Sequence, residues 1–458
     1  MKRTVVLDVV GLTPALMGAD TPNLNQLMER GGRRALRTVT PAVTATVQST
    51  FTTGLMPGDH GAVGNGWYFR DLSEVWLWRQ SNKLVEGEKI WETARKQDAE
   101  FTCAKMFWWY NMYSTADWSV TPRPMYPADG RKLPDVYASP SELRDQLTAD
   151  LGTFPLFNFW GPNADIVSSK WIVDASLRVY EQHSPTLSLV YLPHLDYCLQ
   201  KYGPKHPQIA AEVRAVDALC GQIIDRAERD GARIIALSEY GIVEVSDGVH
   251  INRALRRAGL LAVRDELGRE LLDPGVSAAF AVADHQIAHV YVADPARIAE
   301  VKALLEALPG VARVLDEQGK REMGLDHSRA GELVALSDAD KWFTYYYWLD
   351  DERAPDFARC VDIHRKPGYD PVELFIDPSL AVPALQVGWR LLKKVAGMRY
   401  LMDVIPLMPE LVKGSHGRVT DDDDAGPLFI SSEAHLLPDE HVHATDVKQL
   451  ILDHVFLS

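Results

Sequence analysis

Val43-Thr44-Ala45-Thr46-Val47-Gln48-Ser49-Thr50-Phe51-Thr52-Thr53-Gly54-Leu55-Met56-Pro57-Gly58-Asp59-His60-Gly61-Ala62-Val63-Gly64-Asn65 is rich in hydroxyls and glycines and holds few strong helix formers. A hydroxyl near a helix start, followed by a turn and an amide side chain, can attack a phosphorus and hold its oxygens. The run therefore nominates Thr44 as a nucleophile and Asn65 as an oxygen binder. The chain around it supplies a frame and a set of candidate metal ligands.

The frame is a succession of short apolar runs. Upstream, Thr4-Val5-Val6-Leu7-Asp8-Val9-Val10-Gly11 reads as a buried parallel strand carrying Asp8 near its carboxyl end. Thr21 to Met28 reads as a helix, with Thr21 as N-cap and Pro22 at its first position. Downstream, a helix is expected over 86–96 and a core strand over 101–107. The aromatics Trp108, Trp109 and Tyr110 follow directly and are candidates to line a substrate pocket. Residues 118–140, rich in Pro, Tyr and Gly, read as a long loop.

Leu187–Leu192 is a further strand, followed by a loop at 194–200 holding His194, Asp196 and Gln200. A long amphipathic helix over 207–230 leads to the strand Arg233–Leu237, which ends in Ser238-Glu239-Tyr240-Gly241. Strands alternating with helices, with polar clusters beyond the strand ends, are the α/β pattern, and ligands bind at that edge.

The chain then changes character. Strand-like pieces at 288–292, 311–315 and 332–336 and a helix at about 295–308 suggest a small α+β lobe over 251–348. Residues 349–409 read as an insertion or cap holding His364 and Arg365. An amphipathic helix at about 382–396 in this segment is read as a solvated face, with a membrane surface as the alternative contact. Gly414-Ser415-His416-Gly417 returns to the core, which comprises 1–250 and 410–458. His285 and His289, spaced by four, read as core or surface residues, although they are also considered as substitute ligands.

Composition narrows the function classes. The 48 Lys and Arg against 63 Asp and Glu give a net charge of −15, which disfavours a nucleic-acid polymer as partner. A locally bound cation still allows a small phosphorylated or phosphonate substrate. The four cysteines form no CxxC pair, Asp8 interrupts the short apolar run at the start, and no stretch approaches a membrane span. The expectation is a cytoplasmic protein.

The order of Asp8, Thr21-Pro22-Asn23-Leu24, Thr44, Thr53-Gly54-Leu55-Met56-Pro57, His60 to Asn65, Asp196 before Lys201-Tyr202-Gly203-Pro204, and Gly414-Ser415-His416-Gly417 resembles the alkaline phosphatase superfamily. The resemblance is to its type I phosphodiesterase/nucleotide pyrophosphatase branch, and also to phosphonoacetate hydrolase. It implies a three-layer α/β/α sandwich with a mainly parallel sheet, to which the small lobe and a helical insertion are added. It implies hydrolysis of a phosphodiester or pyrophosphate through a phosphothreonine at Thr44, with two zinc ions. Asp8 and Thr44 would contact one ion, Asp196 and His416 the other, and Asn65 a phosphoryl oxygen. Phosphonate C–P hydrolysis and non-catalytic binding of a phosphoryl ligand are the alternatives.

Two departures bear on the metals. The family pattern has His four residues after the Asp, where this chain has Gln200. It has Ser-Asp-His-Gly where this chain has Ser238-Glu239-Tyr240-Gly241. Gln and Tyr are poorer zinc ligands than His, and an oxygen-rich site suits Mg or Mn. The metal candidates are thus Asp8, Thr44, Asp196, Glu239 and His416, with Gln200, Tyr240, His194 and His364 as further ones. Arg365 is a candidate to pair with a substrate charge.

Overall fold

The computed structural model describes residues 1–128, 130–380, 388, 390, 392 and 401–458. Apart from residues 388, 390 and 392, the helix expected at 382–396 lies outside them. Among the described residues no helix is long and apolar enough to cross a membrane.

A mainly parallel sheet organises the chain. Its strand order is Val442–His443, Gly32–Arg37, Leu428–Ser431, Arg233–Leu237, Thr4–Val9, Leu187–Leu192, Cys103–Met106, Trp118–Pro122 and Val136–Ser139. Thr4–Val9 lies at the centre, parallel to both neighbours. Every residue of the three central strands is buried. That is why they read as unbroken apolar runs rather than alternating ones. Leu428–Ser431 enters antiparallel between Arg233–Leu237 and Gly32–Arg37.

Helices cover both faces. Pro22–Arg30, Ile166–His183 and Ile209–Arg229 pack together on one side, and Thr44–Thr53, Ile90–Gln97 and Val447–Phe456 on the other. Ile209–Arg229 buries Ile209, Val213, Val216, Cys220, Ile223 and Ala227, a stripe at three- and four-residue spacing. It also buries Asp217, whose carboxylate accepts from the backbone N–H of Asn23 (3.1 Å) and Leu24 (2.9 Å). Asp217 therefore satisfies the start of Pro22–Arg30. Thr21 makes no side-chain cap and instead turns its hydroxyl to Gly18 and Asn25.

Two segments expected to be loops are regular. Trp118–Pro122 and Val136–Ser139 pair antiparallel at the sheet edge, where Pro122 ends its strand. His194–Tyr202 is a helix, so Asp196 and Gln200 stand one turn apart on one face.

The small lobe has its own antiparallel sheet, in the order Ala279–Asp284, Ile287–Val292, Leu333–Ser337 and Val311–Leu315. Its core includes Tyr345, Tyr346, Tyr347 and Trp348, all fully buried. Within the described part of 349–409, Lys366 is buried against Asp370 (2.8 Å) and Glu373 (2.6 Å).

Candidate active site

Three neighbouring parallel strands end at one edge of the sheet. Asp8 is in register with Leu237 on one side and Tyr191 on the other. Glu239 follows shortly after Leu237, and Asp196 follows Leu192 on the helix His194–Tyr202. Three carboxylates thus gather at the strand carboxyl ends, the usual ligand edge of an α/β sheet.

Thr44 is the first residue of the helix Thr44–Thr53 and is 4% exposed. All ten residues of that helix are buried despite their hydroxyls, because several of these bond back one turn. Ser49 donates to Ala45 O, Thr50 to Thr46 O, Thr52 to Gln48 O and Thr53 to Ser49 O. Gly54 ends the helix at φ 71°, in the left-handed region. His60 has a structural role, joining Thr50 Oγ1 at 3.0 Å and accepting from Ala62 N.

The polar atoms of the site form one network. Thr44 Oγ1 lies 2.8 Å from the Tyr240 hydroxyl, which donates to Asp196 Oδ1 at 3.4 Å. Gln48, one helical turn after Thr44, donates from Nε2 to Asp8 Oδ2 (3.1 Å) and Glu239 Oε1 (2.6 Å). Its Oε1 accepts from Trp109 N at 2.7 Å. Gln200 donates to Asp196 Oδ2 and accepts from the Tyr369 hydroxyl, each at 2.9 Å. Asn65 Oδ1 accepts from Ala45 N, while its own N and Nδ2 donate to Asp284. Four buried rings stack in a column, Tyr240, His416, His285 and Tyr369, with successive centroids 3.7 Å apart.

The electrostatics are those of an acidic interior. Burial pushes the Asp8 carboxyl up to about 7, and hydrogen bonds from Glu239 and Gln48 offset it only in part. Burial, then the Asp8 charge, hold Glu239 well above the carboxylate range. Burial and the Glu239 charge push Asp196 up to about 8. Burial drives His416 and His285 well below the usual imidazole value. Among the described residues none of these carboxylates pairs with a lysine or arginine.

This donor set leaves unpartnered polar atoms in two places. Asp8 Oδ1 and Glu239 Oε2 are buried without a hydrogen-bond partner, as are the Nε2 atoms of His416 and His285. Asp8 and Glu239 with Thr44 form an all-oxygen set, which suits a hard ion. Asp196 and His416 form a mixed pair. Among the described residues no group of three or more His, Cys, Asp or Glu side chains is placed to hold a metal ion. Tyr240 and Gln200 replace imidazoles with groups already hydrogen-bonded inside the network.

Other candidates lie elsewhere. His194 bonds Glu212 at 2.8 Å, away from the carboxylates. His364 is half-buried in the segment 349–409, and its Nδ1 has no hydrogen-bond partner. Arg365 is exposed and pairs with Asp356 and Asp362. Trp108 and Tyr110 are buried in hydrophobic clusters, whereas Trp109, through its backbone and its ring contact with Trp78, borders the site. His289 bonds Val63 O at 2.8 Å in the interior, but His285 joins the site. Gln48, Asp284 and Tyr369 join it too. Gln48 had one sequence signal, its place one turn after Thr44. A surface cavity of about 520 Å³ on the small lobe is lined by Lys302, Arg313 and Asp316, none of them site residues.

A mainly parallel sheet with helices on both faces, presenting carboxylates and a helix-N-terminal hydroxyl at its strand ends, defines the alkaline phosphatase-like hydrolases. The model of the type I phosphodiesterase/nucleotide pyrophosphatase family matches residues 4–370, and the chain belongs to that family. An uncharacterised pyrophosphatase/phosphodiesterase of Schizosaccharomyces pombe is 25% identical over 238 residues. That match takes in 50% of this chain and 42% of the relative, so the chain spans under half of that relative's length. Phosphonoacetate hydrolase of Sinorhizobium meliloti, solved with phosphonoacetate, has a TM-score of 0.64 at 17% identity, covering 99% of this chain and 96% of that one. Murine ectonucleotide pyrophosphatase/phosphodiesterase 5, solved as an inactive threonine-to-alanine form with AMP, has a TM-score of 0.60 at 14% identity, covering 100% and 96%. These structures share the fold.

Proposed function

We propose that the protein hydrolyses a small phosphate ester, a phosphodiester or pyrophosphate, with Thr44 Oγ1 as the nucleophile. Family membership supports the reaction class. The observation that carries the assignment of the nucleophile is the contact of Thr44 Oγ1, at a helix N-terminus, with Tyr240 and through it Asp196.

Because the Tyr240 hydroxyl donates to Asp196, its oxygen is left to accept the Thr44 proton. Attack forms an Oγ1–P bond, breaks the P–O bond to the leaving group, and passes the Thr44 proton through Tyr240 to Asp196. Water then cleaves the phosphothreonine and restores the hydroxyl. The N-terminal end of Thr44–Thr53 favours the negative phosphoryl oxygens. Asn65, fixed by Asp284 and Ala45, and the rim residue Trp109 orient the substrate. Asp8, Glu239 and Thr44 would hold one divalent cation, Mg or Mn by their oxygens, and Asp196 and His416 a second, Zn by its mixed ligands. Such cations would offset the developing charge and acidify the threonine hydroxyl. AMP and phosphonoacetate in the two similar structures support a small phosphoryl or phosphonyl ligand.

The test is release of p-nitrophenol from bis-p-nitrophenyl phosphate with added divalent cations. Thr44→Ala should lower kcat by about 10³-fold or more. Unchanged turnover in that variant would remove Thr44 from the chemistry. Phosphonoacetate cleavage without diester cleavage would favour the C–P reading.

A further inference from the structure

Lys105 stands on the strand Cys103–Met106, between Leu187–Leu192 and Trp118–Pro122, and is 2% exposed. A lysine is almost never fully buried without a paired carboxylate. Among the described residues Lys105 has none; Cys103 and Lys89 are the titratable groups whose charges reach it, and burial pulls its pKa from 10.5 down to about 7. Its Nζ lies 5.2 Å from the centroid of the Trp91 ring. It donates to two backbone carbonyls, Trp109 O at 2.7 Å and Tyr110 O at 2.9 Å. Charged or neutral, the amine has an N–H for each.

Those carbonyls belong to a strained turn. Phe107, Tyr110 and Tyr113 have φ of 66°, 51° and 61°, in the left-handed region. Bulky residues take that conformation only where the surroundings over-determine it. Phe107 N donates to Val120 O at 2.8 Å, and Asn111 Nδ2 donates to Lys105 O and Val120 O. Asn82 Nδ2 donates to Tyr110 O at 2.8 Å. None of these groups reaches Trp109, whose carbonyl accepts from Lys105.

Trp109 in turn meets the site. Its backbone N–H donates to Gln48 Oε1 at 2.7 Å. A backbone N–H is a donor only, so it takes the amide oxygen and turns the Gln48 NH2 toward Asp8 Oδ2 and Glu239 Oε1. The reversed amide would set its oxygen against both carboxyl groups. The orientation of Gln48 therefore depends on where the turn holds Trp109.

We propose that Lys105 is a positioning residue for the carboxylates at the strand ends. It clamps the turn 107–113 through Trp109 O, and Trp109 N fixes the Gln48 amide between Asp8 and Glu239. Only its effect on turnover rests on the proposed hydrolysis; the clamp itself does not.

The test combines hydrogen–deuterium exchange of the full chain, without substrate, with kinetics on bis-p-nitrophenyl phosphate. In the wild type, peptides over 107–113 should exchange as slowly as the strand Cys103–Met106, although the turn has no ladder of its own. Lys105→Met should speed exchange there by about tenfold or more and leave the strand Thr4–Val9 unchanged. Should that variant fail to fold, Lys105→Gln, with a shorter donor arm, should show the same direction of change. Lys105→Met should also lower kcat by about tenfold or more. Added to Gln48→Leu it should lower kcat no further, because its path to the site runs through Gln48; a general loss of packing would multiply the two effects. Ile224→Ala, a core change on the opposite face of the sheet, should lower Tm and leave kcat unchanged. Fast exchange over 107–113 in the wild type, wild-type exchange or kcat in a folded Lys105→Met, or multiplied effects in the double variant would each overturn the proposal. A slow turn released by Lys105→Met in a protein that hydrolyses no ester would keep the clamp and count against the proposed reaction.

Discussion

Replacing Gln48 by Leu removes a neutral amide that serves two carboxyl groups and a backbone N–H at once. Its Nε2 donates to Asp8 Oδ2 at 3.1 Å and Glu239 Oε1 at 2.6 Å, and its Oε1 accepts from Trp109 N at 2.7 Å. All three contacts are inside a dry site, where a polar group that loses its partner costs about 1–3 kcal/mol. The three groups belong to one network, so their losses do not simply add, and the sum is about 3–6 kcal/mol. Burial of the leucine carbons returns about 1 kcal/mol. The net loss is then about 2–5 kcal/mol, a large part of the roughly 5–15 kcal/mol that holds a domain folded. Urea unfolding at pH 7 in chelator should show the midpoint falling with the slope m unchanged. A loss below about 1 kcal/mol would refute the claim that Gln48 bridges the carboxylates.

Other consequences concern the nucleophile, the insertion and acid stability. Tyr240→Phe keeps the ring against His416 but removes the hydroxyl between Thr44 and Asp196. Its kcat should fall by about 10²-fold or more while KM changes little; a kcat within threefold of wild type would remove Tyr240 from the proton path. Lys366→Met leaves Asp370 and Glu373 buried without their cation, although burial alone would lower the Lys366 pKa and the two carboxylates instead lift it to about 12. The expected loss, read by urea unfolding, is about 3–5 kcal/mol. Burial pulls His60 from 6.5 down to about 3. Between those values the unfolded chain binds a proton that the folded one does not, so stability falls as pH falls below 6.5, by about 1.4 kcal/mol per pH unit. His60→Asn should therefore show a shallower acid limb; parallel limbs would contradict a neutral His60.

Much of this was legible in sequence because it is local. Thr4–Val9, Leu187–Leu192 and Arg233–Leu237 announce themselves as apolar runs, and their ends place Asp8, Asp196 and Glu239 together. The helix His194–Tyr202 was hidden because it begins after Pro193 with no hydroxyl or carboxylate cap. The edge strands around Pro122 and Val136 were masked by turn-forming neighbours. His285 could not be placed, since only the tertiary fold brings it against His416. Gln48 looked like one polar residue among many until the sheet set Asp8 and Glu239 against it.

The central claim is that Thr44 carries the phosphoryl group in turnover. Acid quenching during steady-state hydrolysis of bis-p-nitrophenyl phosphate, followed by peptide mass spectrometry, measures it directly. A phosphorylated peptide with the modification on Thr44, absent from Thr44→Ala, is the predicted result. Turnover with no phosphothreonine at that position, in protein whose Thr44→Ala variant remains active, would contradict it.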